Sequence, residues 1–263
     1  MENSEIKITI RSFDSANLFE AQAQLLTPNE VQIWHGSIAA SADDIRHACE
    51  LLDADEKERA QRFHFDRHRN RYMACRAMLR KLVARQLGIR PAAVRFQYTE
   101  FGKPFLEAGM GDLQFGDLQF NVSHSEGYGA IALACGRRVG VDVERVRDAF
   151  NAQDLADRFF SPAEKSALRQ LTEPSIAEAF FRCWTRKEAY IKARGEGLSH
   201  PLDGFDVSLD ADPENALLHT RPDPAVASLW LLRGFAAQSG YVAAVAVERE
   251  PDPGTPSPVA LPN

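Results

Sequence analysis

The chain has 263 residues, of which 44% are hydrophobic and 26% charged, with a formal net charge of −6. This is the balance of a globular protein with room for one large domain or two small ones, and an acidic chain argues against nucleic acid as its partner. Apolar runs such as 241–247 fall far short of the roughly 20 residues that span a bilayer, so no membrane association is expected. Residues 1–7 carry acids and lack the apolar core of a secretory signal. Cys49, Cys75, Cys135 and Cys183 are scattered without a C-x-x-C pair, which argues against a zinc site or a disulfide framework and for a reducing cytoplasm.

In chain order, the pattern predicts a helix from Asp43 to Leu52. A second helix opens on the capping-box sequence Asp53-Ala54-Asp55-Glu56, and a long third runs from Asp66 to Leu87, closed by Gly88 with Pro91 behind it. Val94–Tyr98 alternates as a strand, Gly102-Lys103-Pro104 is a turn, and Gln119–Val122 and Gly129–Ala134 are further strands. Gly111-Asp112-Leu113-Gln114-Phe115 is repeated at once as Gly116-Asp117-Leu118-Gln119-Phe120, a duplication expected to lengthen a surface loop at little cost. The β-branched stretch around Asp142 and Glu144 reads as a strand. Ser161-Pro162-Ala163-Glu164 starts another helix, with Ser at the cap, Pro at the first position and Glu at the third. Ser175-Ile176-Ala177-Glu178 starts the next, which ends near Gly195. Strands at 205–209, 228–234 and 241–248 complete the second half, and the tail from 250 to 263, rich in proline, is expected to be disordered.

Charge is uneven along the chain. Between Lys57 and Arg95, twelve Lys and Arg stand against two acids, Glu58 and Asp66. Such a stretch is suited to an anionic ligand or an acidic protein partner, although for most of these residues a solvated helix face is the plainer reading.

The chemistry concentrates elsewhere. In Val139-Gly140-Val141-Asp142-Val143-Glu144-Arg145 the two acids, two residues apart on a strand, share a face. In Trp184-Thr185-Arg186-Lys187-Glu188-Ala189-Tyr190-Ile191-Lys192, Trp184, Glu188 and Lys192 recur every four residues on one helical stripe. Three carboxylates from a strand and a helix make a hard oxygen set of the kind Mg²⁺ prefers, with a lysine beside it to hold a phosphate oxygen. The plain alternatives are an exposed D-x-E edge and an i,i+4 surface ion pair. His124 between Ser123 and Ser125 invites a hydrolase reading, but no G-x-S-x-G elbow surrounds these serines.

Gly140-Val141-Asp142-Val143-Glu144 together with Trp184-x-x-Lys187-Glu188-Ala189-x-x-Lys192 resembles the 4′-phosphopantetheinyl transferases of the larger, surfactin-synthetase-activating (Sfp) type. Phe101-Gly102-Lys103-Pro104 and Phe120-Asn121-Val122-Ser123-His124-Ser125 agree in order, so that four motifs cover roughly residues 50 to 210. The resemblance implies transfer of the phosphopantetheine arm of coenzyme A to a serine of an acidic apo acyl or peptidyl carrier protein by a monomeric enzyme, with release of adenosine 3′,5′-bisphosphate. It implies Mg²⁺ on Asp142, Glu144 and Glu188, with Glu188 and Lys192 catalytic, and coenzyme A contacts from Arg71, Lys103, Pro104, Ser123, His124, Lys187 and Lys192. Where the family has two lysines near the start of a helix, this chain has Glu56 and Arg59, so Lys57 is the substitute expected there.

A weak internal repeat accompanies the motifs. A shift of 108 lays Glu56-Lys57 on Glu164-Lys165, Tyr72 on Phe180, Cys75 on Cys183 and Arg80 on Glu188. The expected fold is therefore α+β, with two similar α/β lobes, 28–136 and 137–249, in the pseudo-twofold arrangement of that family and the site between them. Because Arg80 replaces Glu188 in the repeat, one metal site rather than two is expected. The rival readings are a Mg²⁺-dependent nuclease or phosphodiesterase, and a non-catalytic module that binds coenzyme A or a carrier protein.

Overall fold

The computed structural model describes residues 6–13, 24–27, 29–113, 116–147, 150–172, 174–197 and 200–249. The expected proline-rich tail and residues 114–115 of the tandem repeat lie outside them. In the N-terminal half, β1 (Lys7–Phe13) runs parallel to β2 (Glu30–Ser37), and three helices follow: α1 (Ala42–Leu51), α2 (Ala54–Gln61) and α3 (Asp66–Leu87). A small hairpin of β3 (Phe96–Tyr98) and β4 (Pro104–Leu106) leads to β5 (Asp112–Leu113), β6 (Gly116–Ser125) and β7 (Tyr128–Cys135). The main sheet has the order β1-β2-β7-β6-β5. The duplicated pentapeptide thus adds a short strand, β5, paired with β6, where an extended loop was expected.

The C-terminal half begins with β8 (Val139–Arg145), continues through α4 (Ala152–Phe159), α5 (Pro162–Arg169) and α6 (Ser175–Arg194), and ends with β9 (Phe205–Val207), β10 (Leu217–Thr220), β11 (Trp230–Gly234) and β12 (Tyr241–Glu248). Its three-stranded sheet has the order β11-β12-β8. In both sheets the last strand of the half is an inner one: β7 lies between β2 and β6, and β12 between β8 and β11.

Local sequence accounts for the helix boundaries. Asp53 and Glu56 exchange side-chain and backbone hydrogen bonds as a capping box on α2, and Ser161 and Glu164 do the same on α5. The helices α3 and α6 close on Gly88 and Gly195 in the left-handed conformation, which glycine adopts without penalty. The strands β1 and β2 and the helix α4 were not expected from sequence. β2 is buried along almost its whole length, so it lacks the in–out alternation that marks a half-exposed strand.

Four apolar clusters are buried among the described residues, one of them among α1, α2 and α3, and the other three join helices to sheets or sheet to sheet. Leu79, Leu82 and Val83 of α3 pack on Ile131 and Leu133 of β7, and Phe180, Tyr190 and Ile191 of α6 pack on Leu232, Ala244 and Ala246. The third lies between the sheets, where Val31, Ile33, Ala130, Ala132 and Ala134 meet Val139, Val141, Val143, Val245 and Val247. Alternation along β7 sends Ile131 and Leu133 to the helices and the alanines to the other sheet. Small side chains on that face let the sheets approach, and the Asn121 side-chain oxygen accepts the Val141 N–H at 2.9 Å, fixing β6 against β8.

Candidate active site

The strands β6 and β8 face each other in matching register. On β6, Asn121, Ser123 and Ser125 share one face by period-two alternation, and on β8 so do Gly140, Asp142 and Glu144. Ser123 Oγ donates to Asp142 Oδ1 at 2.7 Å and Ser125 Oγ donates to Glu144 Oε2 at 2.7 Å. Both hydroxyls are thus engaged in holding carboxylates, and neither pairs with His124, which removes the hydrolase reading. Roles for Asn121 and Ser125 were not expected from sequence, although the polar spacing N-x-S-x-S, equal to that of D-x-E, was the signal for them.

The helix α6 crosses β8 at short range because of Gly140. A Cβ on this residue would collide with the Ala189 carbonyl and the Ala193 amide. The close approach brings Lys192 onto β8: its Nζ donates to Asp142 Oδ1 at 2.5 Å and lies 3.3 Å from Ser123 Oγ. Burial opposes the Lys192 charge, but Asp142, Glu188 and Glu144 overcome this and hold its pKa above the ordinary value. Glu188 lies one turn away, and burial, then the charges of Asp142 and Glu144, push its carboxyl up to about 7 against the pull of Lys192. Burial also raises Glu144, with Ser125 opposing. These causes make the three carboxylates and Lys192 one electrostatic unit. Asp142 is 2% exposed, and its second oxygen, Oδ2, is buried without a hydrogen-bond partner.

Among the described residues, no three or more His, Cys, Asp or Glu side chains have closed into metal-binding geometry. The carboxylates are neighbours, but Lys192 occupies the Asp142 oxygen that faces it.

A cationic edge borders this unit. His124 lies at this edge with its ring reaching solvent, and the protein packed around it, then Lys192 and Arg71, with His68 adding to the effect, lower its pKa. Arg71 lies against Gly127, in the turn between β6 and β7. Lys103, from the turn before β4, sends its Nζ to the Lys192 carbonyl near the end of α6 at 2.6 Å. Burial, then the Arg138 charge, lowers Lys103 to about 8. Pro104 follows it and lines a cleft of about 190 Å³ with Phe105, Leu106 and residues of β6.

One expected contact is corrected. Lys187 is 0% exposed and points away from the carboxylates, donating to the Leu202 carbonyl at 2.6 Å, the Phe205 carbonyl at 2.9 Å and pairing with Glu164 at 2.8 Å. One residue along a helix is about 100° of rotation, so Lys187 and Glu188 cannot serve the same site, and Lys187 is no coenzyme A contact. Glu56 likewise lies inside the protein, paired with Arg76 at 2.8 Å and Arg80 at 2.6 Å. Arg59 remains outside, over the rings of Tyr72 and Tyr98.

Comparison with known proteins matches residues 138–246 to the 4′-phosphopantetheinyl transferase superfamily and residues 36–136 to a 4′-phosphopantetheinyl transferase N-terminal family. The chain is 37% identical to the 4′-phosphopantetheinyl transferase HetI of Nostoc sp., over 84% of this chain and 89% of that protein. The chain belongs to the 4′-phosphopantetheinyl transferases. Within them this transferase is of the Sfp type: Sfp of Bacillus subtilis is 32% identical over 62% of this chain and 68% of its own length. A slight structural likeness, with a TM-score of 0.34 and 20% identity over 43% of this chain and 62% of the other, links it to holo-[acyl-carrier-protein] synthase of Thermotoga maritima. The fold of the transferase is mixed α and β, no disulfide joins its four cysteines, and among the described residues no helix is long and apolar enough to cross a membrane.

Proposed function

We propose that this transferase moves the 4′-phosphopantetheine arm of coenzyme A onto a serine of an apo acyl or peptidyl carrier protein, releases adenosine 3′,5′-bisphosphate, and requires Mg²⁺. The observation that carries the reading is the unpartnered, buried Asp142 Oδ2 beside Glu144 and Glu188. A buried oxygen left unsatisfied is costly, and three hard oxygen donors are the set Mg²⁺ takes when it also keeps positions for phosphate. The residues present therefore fit the ion, with Asp142, Glu144 and Glu188 as its holders, and when bound it would neutralise charge on the pyrophosphate.

The remaining work falls to the side chains around it. Lys192, kept protonated by its acidic neighbours, clamps a phosphate oxygen, and Ser123 orients Asp142 from the other side. His124 and Arg71 line the edge that receives the phosphates, while Lys103 and Pro104 hold the nucleotide end of coenzyme A. Catalysis is then mainly positioning and electrostatics.

The matching strand orders and helix sequences of the two halves support two similar lobes, 28–136 and 137–249, with the site between them. We further assign the enzyme to the cytoplasm as a monomer with an acidic carrier protein as partner. The test is a turnover assay with coenzyme A, apo acyl carrier protein and Mg²⁺, run with and without EDTA. Mass increase of the carrier by one phosphopantetheine, lost on chelation, is the expected result. Unmodified carrier, or transfer indifferent to EDTA, would overturn the transfer or the metal assignment respectively.

A further inference from the structure

One exposed aromatic beside the site is left unexplained by the chemistry above. Between α2 and α3 the chain bends, with Phe63 turned inward against Tyr72, ring centroids 5.4 Å apart, while Phe65 turns outward and is 54% exposed. Around Phe65 stand Arg67, whose guanidinium lies 5.2 Å from the ring, and the edges of His64 and His68. Between Lys57 and Arg71 the chain carries six Lys and Arg against two acids, in a protein whose net charge is −6. The two acids form only exposed pairs, Glu58 with Arg62 and Asp66 with Arg69. Such pairs hold weakly and exchange readily for a partner's carboxylates.

The position of this knob matters as much as its chemistry. The ring of His68, on the first turn of α3, lies 6.0 Å from that of Phe65, and Arg71, the next turn on, lies against Gly127, two residues from the Ser125 that holds Glu144. Phe65 therefore stands at the cationic rim of the carboxylate site. A protein that presents a serine to that site must cover the ground beside it. An exposed aromatic ringed by arginine is the composition of an interface hot spot, and a local positive field on an acidic protein attracts an acidic partner to this place and repels it from the rest of the surface.

We propose that Phe65, with Arg67 and the neighbouring arginines, is a docking point for the acidic carrier protein: the ring takes an apolar pocket or helix face of the carrier and the guanidinium groups take its carboxylates. The proposal rests on the transfer reading above. Neither Phe65 nor Arg67 is among the residues assigned to coenzyme A, so their loss should act on the carrier alone.

The experiment is steady-state transfer by the full chain, with apo acyl carrier protein and coenzyme A varied in turn. Phe65→Ser and Arg67→Glu should each raise KM for the carrier about tenfold, with KM for coenzyme A and kcat at saturating carrier within twofold of wild type. In Arg67→Glu the fall of kcat/KM with added salt should also be shallower. Unchanged KM for the carrier in both variants, with wild type active, overturns the docking site and leaves the transfer reading intact. Equal rises in both KM values would overturn it too, as the sign of a general disturbance of the site. A wild type that modifies no carrier removes the transfer reading and the docking site together.

Discussion

In the N-terminal half, the capping acid of α2, Glu56, is held from α3 by Arg76 and Arg80, and Arg80 also reaches Asp53 and the carbonyls of Pro91 and Val94. In the C-terminal half, the capping acid of α5, Glu164, is held from α6 by Lys187 alone. The shift of 108 that aligns the two acids lays Arg80 on Glu188 and Leu79 on Lys187. The cation that secures the capping acid thus sits one residue earlier on α6 than Arg80 does on α3. That displacement frees position 188, turned about 100° further round the helix, to carry a carboxylate toward β8. The strands differ in the same sense. Where β8 offers Asp142 and Glu144, β2 has Trp34, buried in the core, and Gly36, on which a Cβ would strike the Phe13 carbonyl of β1. One half has spent its polar positions on its own structure, and the other has kept them for chemistry.

The largest effect is expected from breaking the ion pairs. Lys187→Met leaves Glu164 buried without its cation and should cost about 3–5 kcal/mol, read as a lower midpoint in urea unfolding. Arg80→Met, which takes from Glu56 one of its two cations and from Asp53 and the Pro91 and Val94 carbonyls their donor, should cost as much. A Lys187→Met enzyme of wild-type stability with a raised KM for coenzyme A would instead return Lys187 to the phosphate site and undo the comparison.

Next come the carboxylates. Glu188→Gln and Asp142→Asn keep shape and should fold, yet lose transfer by about a hundredfold or more, the scale of removing electrostatic transition-state stabilisation. Their kcat, measured at saturating coenzyme A and carrier, decides the matter, and wild-type turnover in either would deny the C-terminal half its special role.

Lys103 couples the halves by its bond to the end of α6, and it should show itself in two ways. Lys103→Met should raise KM for coenzyme A about ten- to a hundredfold, the worth of one charge-assisted contact. It should also alter stability with pH. The folded pKa, about 8, lies below the ordinary lysine value of 10.5, so between these limits the unfolded chain binds more protons and wild type gains stability relative to the variant as pH rises. Parallel thermal melts of the two proteins from pH 7 to 10 check the sign. A difference that stays flat would show the ammonium to be solvated.

The smallest effect is expected at Ser125, whose hydroxyl serves Glu144 and accepts the Arg145 N–H. Ser125→Ala should lower kcat/KM by roughly fivefold, about 1 kcal/mol, whereas Ser37→Ala, at the end of β2, should leave transfer unchanged.

Sequence alone determined what depends on near neighbours. The capping boxes at Asp53 and Ser161, the glycine ends of α3 and α6, and the shared faces of Asp142 with Glu144 and of Glu188 with Lys192 all follow from backbone geometry within a few residues. The family is legible in the sequence for a different reason, the resemblance of four short motifs in the family's order. Tertiary structure decided which charges work at the surface of the site and which are consumed inside. Lys187 and Lys192 look alike in a helical pattern, yet one is shut in by Glu164 and two carbonyls from 202 and 205, and the other reaches Asp142 across the interface with β8. The same holds for β2, whose fully buried run reads as a strand only once β7 and β1 lie on either side of it, and for Gly140, whose missing Cβ matters only because α6 passes over it. These partners lie tens of residues away, and the free energy that selects them is that of burying one particular surface against another, which no local pattern encodes.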